Sequence, residues 1–561
     1  MRFKLPIIGF LAVCSTTAVA ADLSGQVTAP GGQPAVGARV YVEGLLKGAV
    51  TDAQGRFSIT GLAPGMRTMV VESLGSARAR IAVTLSDAQP AKVVVQLQPN
   101  GALVEAARRY QEPLPEHLAQ KQSYLGSLKV SKNPLPNIVI FLFDDLGWGD
   151  LSSYGNRLIR TPHIDQLARE GVRMTEFYSA SPVCTPSRAA LLTGRYPQRA
   201  LAANHVFFPD KSPGNILRSA AGFPNALIRD EILLPEVLGQ LGYRTVMTGK
   251  WHLGDRAGHL PNDFGFTQFH GVHFSNDMNP LNWYHNRKVK LPAAEVRQED
   301  LTRLIADAAI AEIQASKNEP LFLYVPFTAP HVPHAIGPAL AGKSEGGLYG
   351  DVVEEADAAI GRIRDAMRAS GRERNTLFIV TSDNGADRRG SPGPLHGLKQ
   401  QTFEGGMRVP LIAAWPNHLP AGQVRGGMGM IFDLMPTVLE IASAPLPTDR
   451  IIDGRNLMDL WHGRTGSPHN LLFYTNAWTG QAEAVRDARF KYRAAVFNQL
   501  FHPFYPADFA IPVTDPPMLT DLDRDNETHD LSSKQVQAVD KLRAALEEFR
   551  RSSTENPRGW R

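Results

Sequence analysis

Asn137-Ile138-Val139-Ile140-Phe141-Leu142-Phe143 is an unbroken apolar run, rich in β-branched residues, that stops on Asp144-Asp145. A strand with one wet face alternates apolar and polar residues. A run without alternation reads as a strand buried on both faces, as in a parallel sheet. Runs at residues 244–248, 320–326, 376–381 and 409–414 are its expected companions. Between them, residues 163–170, 234–241, 299–315, 351–369 and 434–442 carry helical patterns. Such alternation defines an α/β sheet covered on both faces. Ligands of these sheets gather at the carboxyl ends of the strands. Those ends carry Asp144-Asp145, Gly249-Lys250-Trp251-His252, Thr328-Ala329-Pro330-His331 and Ser382-Asp383-Asn384-Gly385. Packing does not explain polar groups at all four.

Outward from this sheet the chain divides by pattern. Residues 1–20 read as an export signal peptide: Arg2 and Lys4, a short apolar stretch over 5–13, then Ala18-Val19-Ala20 as a small-residue cleavage site. The stretch is too short to span a bilayer and no other run reaches that length, so no transmembrane segment is expected. The protein is expected to be exported, either periplasmic or secreted. Leu11-Ala12-Val13-Cys14 departs from a lipoprotein signal at the bulky Val13. Residues 21–99 show short alternating runs such as Arg39-Val40-Tyr41-Val42 and Arg56-Phe57-Ser58-Ile59, punctuated by Gly, Pro and Asp turns. That is the pattern of a small antiparallel, all-β sandwich domain. Residues 100–135 form a linker, with one helix expected over 102–111, stopped by Pro113 and Pro115, and a second short helical piece before Asn133. Residues 136–465 hold the α/β pattern. Residues 466–561 change character: antiparallel strands are expected at 471–474, 482–486 and 490–495, and an amphipathic helix at 535–551.

Composition narrows the class. The 59 Lys and Arg against 55 Asp and Glu leave a net charge of +4, too small and dispersed for a nucleic-acid partner. Of two cysteines, Cys14 lies in the signal segment, so Cys184 is a lone thiol in a chain bound for an oxidising compartment. It opens Cys184-Thr185-Pro186-Ser187-Arg188, followed by Leu192-Thr193-Gly194-Arg195. Ser187 is a candidate N-cap for a helix starting at Arg188, which would put the cysteine just before a helix N-terminus, where anions are favoured. A phosphotyrosine-phosphatase-like loop needs its arginine where Ala190 stands.

These residues carry two resemblances. Gly37-Ala38, Thr51-Asp52-Ala53-Gln54-Gly55-Arg56-Phe57 and Gly61-Leu62 through Gly65 resemble a carboxypeptidase regulatory-like domain, which implies a fold and no reaction. Cys-x-Pro-x-Arg with Leu-Thr-Gly-Arg resembles the signature of type I sulfatases, arylsulfatase-A-like members of the alkaline-phosphatase-like superfamily, over residues 136–555. That resemblance implies a mostly parallel central sheet with a small C-terminal antiparallel subdomain. It implies that Cys184 is oxidised to Cα-formylglycine (3-oxoalanine), whose hydrate is the nucleophile, by a formylglycine-generating maturation enzyme. It implies that Asp144, Asp145, Asp383 and Asn384 are the metal ligands. Their all-oxygen set suits a hard cation, Ca²⁺ by resemblance, with Mg²⁺ or Mn²⁺ as alternatives. Two carboxylates about 4 Å apart repel by roughly 4 kcal/mol at an effective dielectric of 20, so three acids in one pocket need a cation or protons.

Gly249-Lys250-Trp251-His252-Leu253-Gly254 is similar to a second sulfatase signature. Two apart on an extended segment, Lys250 and His252 are expected on one side. The resemblance makes Lys250 a sulfate contact and His252 the base that helps expel sulfate. His331 would bind a sulfate oxygen or protonate the leaving alcohol, with His334 only lining the pocket. Ser275 and Lys399 would contact sulfate, and Arg188 would orient the nucleophile. Leu398, and Ala200-Leu201-Ala202, stand where relatives carry glycine. The reaction implied is hydrolysis of a sulfate monoester, of an aryl alcohol or a carbohydrate. Hydrolysis of a phosphonate monoester or phosphodiester by the same nucleophile is an alternative, as is a non-catalytic sulfated-glycan-binding protein. The identity of the ester is left open by loops 201–230, 272–298 and 496–518.

Overall fold

The computed structural model describes residues 21–29, 32–43, 45, 47–73, 79–86, 88–98, 113–131, 134–210, 212, 215, 218, 223–316, 318–494, 496–499 and 512–561, with the side chains of 496–499 and 512–515 left aside. The expected signal segment and the helix expected at 102–111 lie outside the described residues.

Seven strands make the N-terminal unit: β1 (Ala21–Thr28), β2 (Arg39–Val42), β3 (Gly48–Val50), β4 (Arg56–Leu62), β5 (Gly65–Glu72), β6 (Ala79–Leu85) and β7 (Ala91–Gln96). They form two sheets, ordered β4-β1-β7 and β3-β2-β5-β6. Leu23, Val27, Val40, Val42, Ile59, Met69, Val71 and Val95 fill the space between them. The expectation of purely antiparallel pairing fails at one place: β1 runs parallel to β7. β1 reads Ala-Asp-Leu-Ser-Gly-Gln-Val-Thr, with too few apolar residues to stand out as a strand, and it takes its place through that pairing.

The second unit opens with α1 (Pro115–Ser127). Pro115, expected to end a helix, begins one; in the first turn its missing N–H has no intrahelical partner to lose. The central sheet follows: β8 (Asn137–Phe143), β9 (Val172–Tyr178), β10 (Arg244–Lys250), β11 (Gln268–Val272), β12 (Trp283–His285), β13 (Lys288–Leu291), β14 (Leu321–Pro326), β15 (Thr376–Ser382), β16 (Arg408–Ala414), β17 (Gln423–Arg425) and the short β18 (Gly429–Met430). The order is β13-β12-β11-β10-β14-β8-β15-β16-β9-β17. β11, β10, β14, β8 and β15 are mutually parallel. β16 is antiparallel to both β15 and β9, so the run at 409–414 is a strand but not a parallel one.

β8 lies in the middle and shows why its sequence has no alternation. Ile138, Ile140 and Leu142 point into one core, with α3 (Cys184–Thr193), α4 (Leu234–Gln240) and α7 (Leu434–Ile441). Val139, Phe141 and Phe143 point into the other, with α2 (Pro162–Glu170), α5 (Leu301–Ala315) and α6 (Gly347–Ala369). Each face needs apolar residues, so every position is apolar.

Beyond the sheet, β19 (Leu472–Thr475), β20 (Ala482–Arg486), β21 (Phe490–Arg493) and β24 (Met518–Asp521) form an antiparallel sheet. β22 (Val496–Gln499) pairs with β23 (Pro512–Asp515). α8 (Val536–Glu555) lays Leu542 and Leu546 against Val485, Tyr492 and Leu519 of that sheet. No helix among the described residues is long and apolar enough to cross a membrane.

Candidate active site

The carboxyl ends of β8, β10, β14 and β15 and the first turn of α3 converge on one buried polar centre. Asp144 and Asp145 follow β8, Asp145 in a left-handed turn (φ 69°). Asp383 leaves β15, its N–H donating to the Phe143 carbonyl (3.1 Å), and its Oδ1 accepts from the Asp145 N–H (3.2 Å). Asn384 donates through Nδ2 to Asp145 Oδ1 (2.8 Å). One backbone and two side-chain hydrogen bonds between neighbouring strand ends thus hold Asp145, Asp383 and Asn384 together, beside Asp144.

α3 brings the thiol. The helix begins at Cys184 itself, with Val183 as N-cap, and all ten of its residues are buried. Ser187 is therefore inside the helix. Its hydroxyl donates back to the Ser181 carbonyl (2.9 Å) and accepts the Ser181 N–H (3.2 Å), tying the preceding loop to the first turn. The Cys184 thiol donates to Asp144 Oδ1 (3.3 Å). Arg188, one turn on, donates twice to Asp383 Oδ2 (2.9 and 2.7 Å) and once to the Lys250 carbonyl (2.9 Å).

Two lysines and two histidines complete the centre. Lys250 Nζ donates to Asp144 Oδ2 and Lys399 Nζ to Asp145 Oδ2 (2.7 Å). His331 places Nε2 3.6 Å from Asp145 Oδ2, and its Nδ1 lies 2.6 Å from the Val332 carbonyl and 3.3 Å from Ser275 Oγ. One oxygen from each of Asp144 and Asp145, Cys184 Sγ and a His331 nitrogen lie within 4.8 Å of one another.

His252 is reached by a route that strand alternation does not give. β10 ends at Lys250 and His252 adopts φ 60°, so the expected same-side geometry of an extended segment does not apply. Thr185 Oγ1 donates to the His252 carbonyl (2.9 Å) and accepts the Phe207 N–H (3.1 Å). His252 Nε2 is 3.0 Å from the Phe207 carbonyl. A carbonyl only accepts, which assigns the proton to Nε2 and leaves Nδ1 with a lone pair. Nδ1 is buried without a hydrogen-bond partner among the described residues. Thr185 and the Phe207 carbonyl carry no sequence signal: Thr185 is an unspecified position of the cysteine motif, and Phe207 acts through its backbone.

The remaining residues are placed as follows. His334 turns its Nε2 to the Pro330 carbonyl (2.8 Å) and its ring edge to Tyr349, away from the carboxylates. Of the two glycine-less positions, the first takes a left-handed turn at Leu201 (φ 54°); Leu398 does not, and the left-handed turn falls two residues on, at Gln400 (φ 75°). Each costs about 1 kcal/mol for a residue with a side chain. Hydrogen bonds hold the second: Lys399 N to Ala386 O and Gln400 N to Pro182 O, both 2.8 Å.

Charge in this centre is balanced pairwise: Asp144, Asp145 and Asp383 against Arg188, Lys250 and Lys399. Burial alone would raise Asp144, but Lys250, His331 and Arg188 hold it well below the usual carboxylate range. Burial pushes Asp383 up to about 6 despite Arg188, because Asp144 also crowds it. Burial, reinforced by Asp144, pushes the Cys184 thiol well up. Burial, then Lys250 and Arg188, pushes His252 well down, so its imidazole is neutral. Burial would lower Lys399, but Asp145 and Cys184 outweigh it and keep the ammonium charged. A divalent cation fits the donor set. Asn384 Oδ1 is buried and has no hydrogen-bond partner among the described residues, and it joins three carboxylates in a hard-oxygen set.

This sheet, with its acids, lysines and histidines around a helix-borne thiol, defines a hydrolase of the alkaline-phosphatase-like superfamily. The chain belongs to the sulfatase family, whose family model matches residues 136–444, and residues 22–98 match that of the carboxypeptidase regulatory-like domain. It is 40% identical to N-acetylgalactosamine-6-sulfatase of Rattus norvegicus over 367 residues, covering 60% of this chain and 67% of that one. It is 31% identical to steryl-sulfatase of Mus musculus over 524 residues, covering 74% and 82%. The crystal structure of PsFucS1 sulfatase from Pseudoalteromonas sp. superposes with a TM-score of 0.65 at 26% identity, covering 80% of this chain and 96% of that one.

Proposed function

We propose that this sulfatase hydrolyses sulfate monoesters of carbohydrates or aryl alcohols, with formylglycine at position 184 and a divalent cation, Ca²⁺ by preference, held by Asp144, Asp145, Asp383 and Asn384. One observation carries the reading. The Cys184 side chain lies among the oxygens that would hold the cation, with Lys250 and Lys399 resting on two of them. Bound cation would draw the carboxylates and polarise a sulfate oxygen; the aldehyde hydrate at position 184 would supply a hydroxyl nucleophile that serine or cysteine cannot regenerate.

The chain's own side chains do the rest. Once a cation neutralises Asp144 and Asp145, Lys250 and Lys399 can turn their ammonium groups to sulfate, joined by His331 and Ser275. His331 Nε2 faces the centre and would protonate the leaving alcohol; His252 Nδ1 accepts a proton as sulfate is expelled. Arg188 holds Asp383 and the Lys250 carbonyl, fixing α3 against β10. Maturation would precede folding, because Cys184 is buried in a fully enclosed helix and its thiol is held protonated. That calls for a maturation enzyme acting on the unfolded segment, on a chain exported to the periplasm or secreted. Residues 21–99 are assigned as a separate non-catalytic domain, 100–135 as a linker, and 136–465 with 466–561 as the catalytic domain and its C-terminal subdomain.

The test is the mass of the peptide spanning Cys184, taken from protein made in its own host, with parallel assays on matched aryl sulfate, phosphate and phosphonate esters. Thiol mass lost to the aldehyde, with preference for sulfate, is the expected result. An intact thiol in turning-over enzyme, or preference for phosphonate, overturns the reading. Chelation supplies a second prediction. Stripping divalent ions is expected to abolish turnover and lower the melting temperature, and added Ca²⁺ at about 100 times its Kd restores about 2.7 kcal/mol. The melting shift is expected in unmodified Cys184 protein too, so it reads the ion site without turnover. A melting temperature indifferent to chelator and Ca²⁺ would remove the cation from the proposal.

A further inference from the structure

Three buried residues from separate parts of the chain close a ring of hydrogen bonds beside position 184. Thr185 stands in the first turn of α3, Phe207 lies in the segment that follows α3, and His252 follows β10. The Thr185 hydroxyl donates to the His252 carbonyl (2.9 Å). His252 Nε2 donates to the Phe207 carbonyl (3.0 Å). The Phe207 N–H donates back to Thr185 Oγ1 (3.1 Å). Arg188, three residues on and therefore on the same face of the helix, donates to the Lys250 carbonyl (2.9 Å). One helix turn thus carries position 184 and grips the chain at both Lys250 and His252.

This ring sets a narrow demand on residue 185. One atom must donate to a carbonyl and accept from an N–H, which a hydroxyl does. Valine has the shape of threonine and does neither. The other contacts of His252 hold its place without choosing its proton. Its N–H donates to the His273 carbonyl (2.8 Å), and the Phe274 ring stands edge-on to the imidazole at 5.8 Å. Only the Phe207 carbonyl selects which ring nitrogen is protonated, and Thr185 holds the Phe207 peptide. His252 also keeps a strained left-handed backbone (φ 60°), and Thr185 pins the carbonyl of that same residue. The outcome is a lone pair on Nδ1, buried and without a hydrogen-bond partner among the described residues.

We propose that Thr185 is a positioning residue for the base: its hydroxyl closes the hydrogen-bond ring that keeps the proton on His252 Nε2 and the lone pair on Nδ1. This rests on the proposed role of His252 in expelling sulfate. In that step a proton passes from the free hydroxyl at position 184 to Nδ1. The electron pair of that O–H closes the aldehyde C=O, and the C–O bond to sulfate breaks with its pair on sulfate. A proton already on Nδ1 would block the transfer.

Protein carrying unmodified Cys184 keeps the ring, so the proposal can be read without turnover. Nitrogen NMR of isotope-labelled histidine distinguishes a ring N–H from a lone pair, and the His252 signals are those missing from His252→Gln. The parent and Thr185→Ser are expected to show the Nε2–H tautomer alone. In Thr185→Val, solvent exchange of Nε2–H is expected to be about tenfold faster, the effect of one net hydrogen bond on a local opening. Matured protein supplies a second reading, with rates expressed per aldehyde found in the peptide spanning 184. Thr185→Val is expected to release about one 4-nitrophenol per aldehyde from 4-nitrophenyl sulfate at the parent rate, then to turn over about 10²-fold more slowly, while Thr185→Ser restores the parent rate within about threefold. A parent His252 protonated on Nδ1, or a Thr185→Val protein with unchanged exchange, overturns the proposal. Equal slowing of the first release and of later turnover makes Thr185 a structural support and overturns it as well. If Thr185→Val does not fold, Thr185→Ala is read in the same way. Full turnover by His252→Gln would remove the base role of His252, leaving the NMR signals to decide whether Thr185 orients the ring.

Discussion

Cys184→Ala abolishes turnover, by at least about 10⁴-fold in kcat, while melting within about 1 kcal/mol of the parent protein. Both halves of this expectation come from the same geometry. α3 brings two groups to the oxygen cluster, the side chain at 184 and the Arg188 guanidinium, and a guanidinium held by Asp383 cannot replace the first as a nucleophile. The contribution of position 184 to stability is small by contrast. The thiol makes one long hydrogen bond to Asp144, which also holds Lys250, and removing one sulfur atom leaves a void smaller than a methylene-scale core cavity would. The measurement is kcat on an aryl sulfate for protein matured in its own host, with a thermal melt of the variant against unmodified Cys184 protein. Turnover surviving above the stated limit would assign the nucleophile to another residue. Activity lost together with the fold would leave the role to Cys184→Ser, which preserves volume and hydrogen bonding; sustained multiple turnover by that serine in a host lacking maturation would equally exclude the aldehyde.

What could be read in advance follows from how each feature is encoded. β8 was legible because burial on both faces removes alternation, and the two cores of the structure take its odd and even residues separately. The acids, Lys250 and His331 were legible because each ends or follows an apolar run, and a strand end fixes their place; Lys399 lies in the loop between β15 and β16 and was singled out only by resemblance. The relation of Lys250 to His252 was not legible. Alternation assumes that the strand continues, whereas β10 stops at Lys250 and a left-handed His252 re-aims the ring. Ser187 illustrates a similar failure at a helix boundary: a serine before an apolar stretch suggests a cap, but Cys184 and Pro186 already fit the first turn. β9 was missed because Val-Arg-Met-Thr-Glu-Phe-Tyr carries charge and lacks a long apolar run: it lies near the sheet edge between β16 and the three-residue β17, where Arg173, Thr175 and Glu176 are only half-buried. Contacts made by backbone atoms, such as the Phe207 carbonyl on His252, leave no trace in residue type at all.

Glu404→Ala is expected to lower the unfolding free energy by about 3–5 kcal/mol, the cost of leaving buried charges without their counter-ion. Glu404 follows Lys399 by five residues in Glu404-Gly405-Gly406-Met407-Arg408-Val409-Pro410, yet its carboxylate is bound by side chains of other strands and not by those of the Asp144–Asp145 centre. It accepts from Lys491 Nζ (3.0 Å), Tyr474 OH (3.0 Å), Tyr178 OH (2.7 Å) and Arg408 Nε (2.9 Å), all buried or nearly so. Tyr178 and Arg408 belong to β9 and β16 of the central sheet; Tyr474 and Lys491 belong to β19 and β21 of the antiparallel one. The two sheets therefore meet on one anion. Burial alone would raise the Glu404 carboxyl, but Lys491, Arg408 and Arg486 outweigh it and hold it well below the usual range. Its neighbour Glu527, which shares Lys491, moves the other way, as burial and the charge of Glu404 prevail over the lysine. For Glu404 the sign is fixed: the depressed carboxyl contributes stability that is fully present above its unfolded value of 4.5 and is lost as pH falls below it. Denaturant unfolding at pH 7, and at steps downward from pH 5, reads both effects. The parent protein is expected to lose stability steeply below pH 4.5, and Glu404→Gln, which keeps the shape and drops the charge, to lose less over the same range because part of the penalty is already present at pH 7. A Glu404→Ala loss under about 1 kcal/mol, or parallel pH curves for parent and glutamine variant, would mean that apolar contacts such as those of α8 hold the two sheets together without this anion.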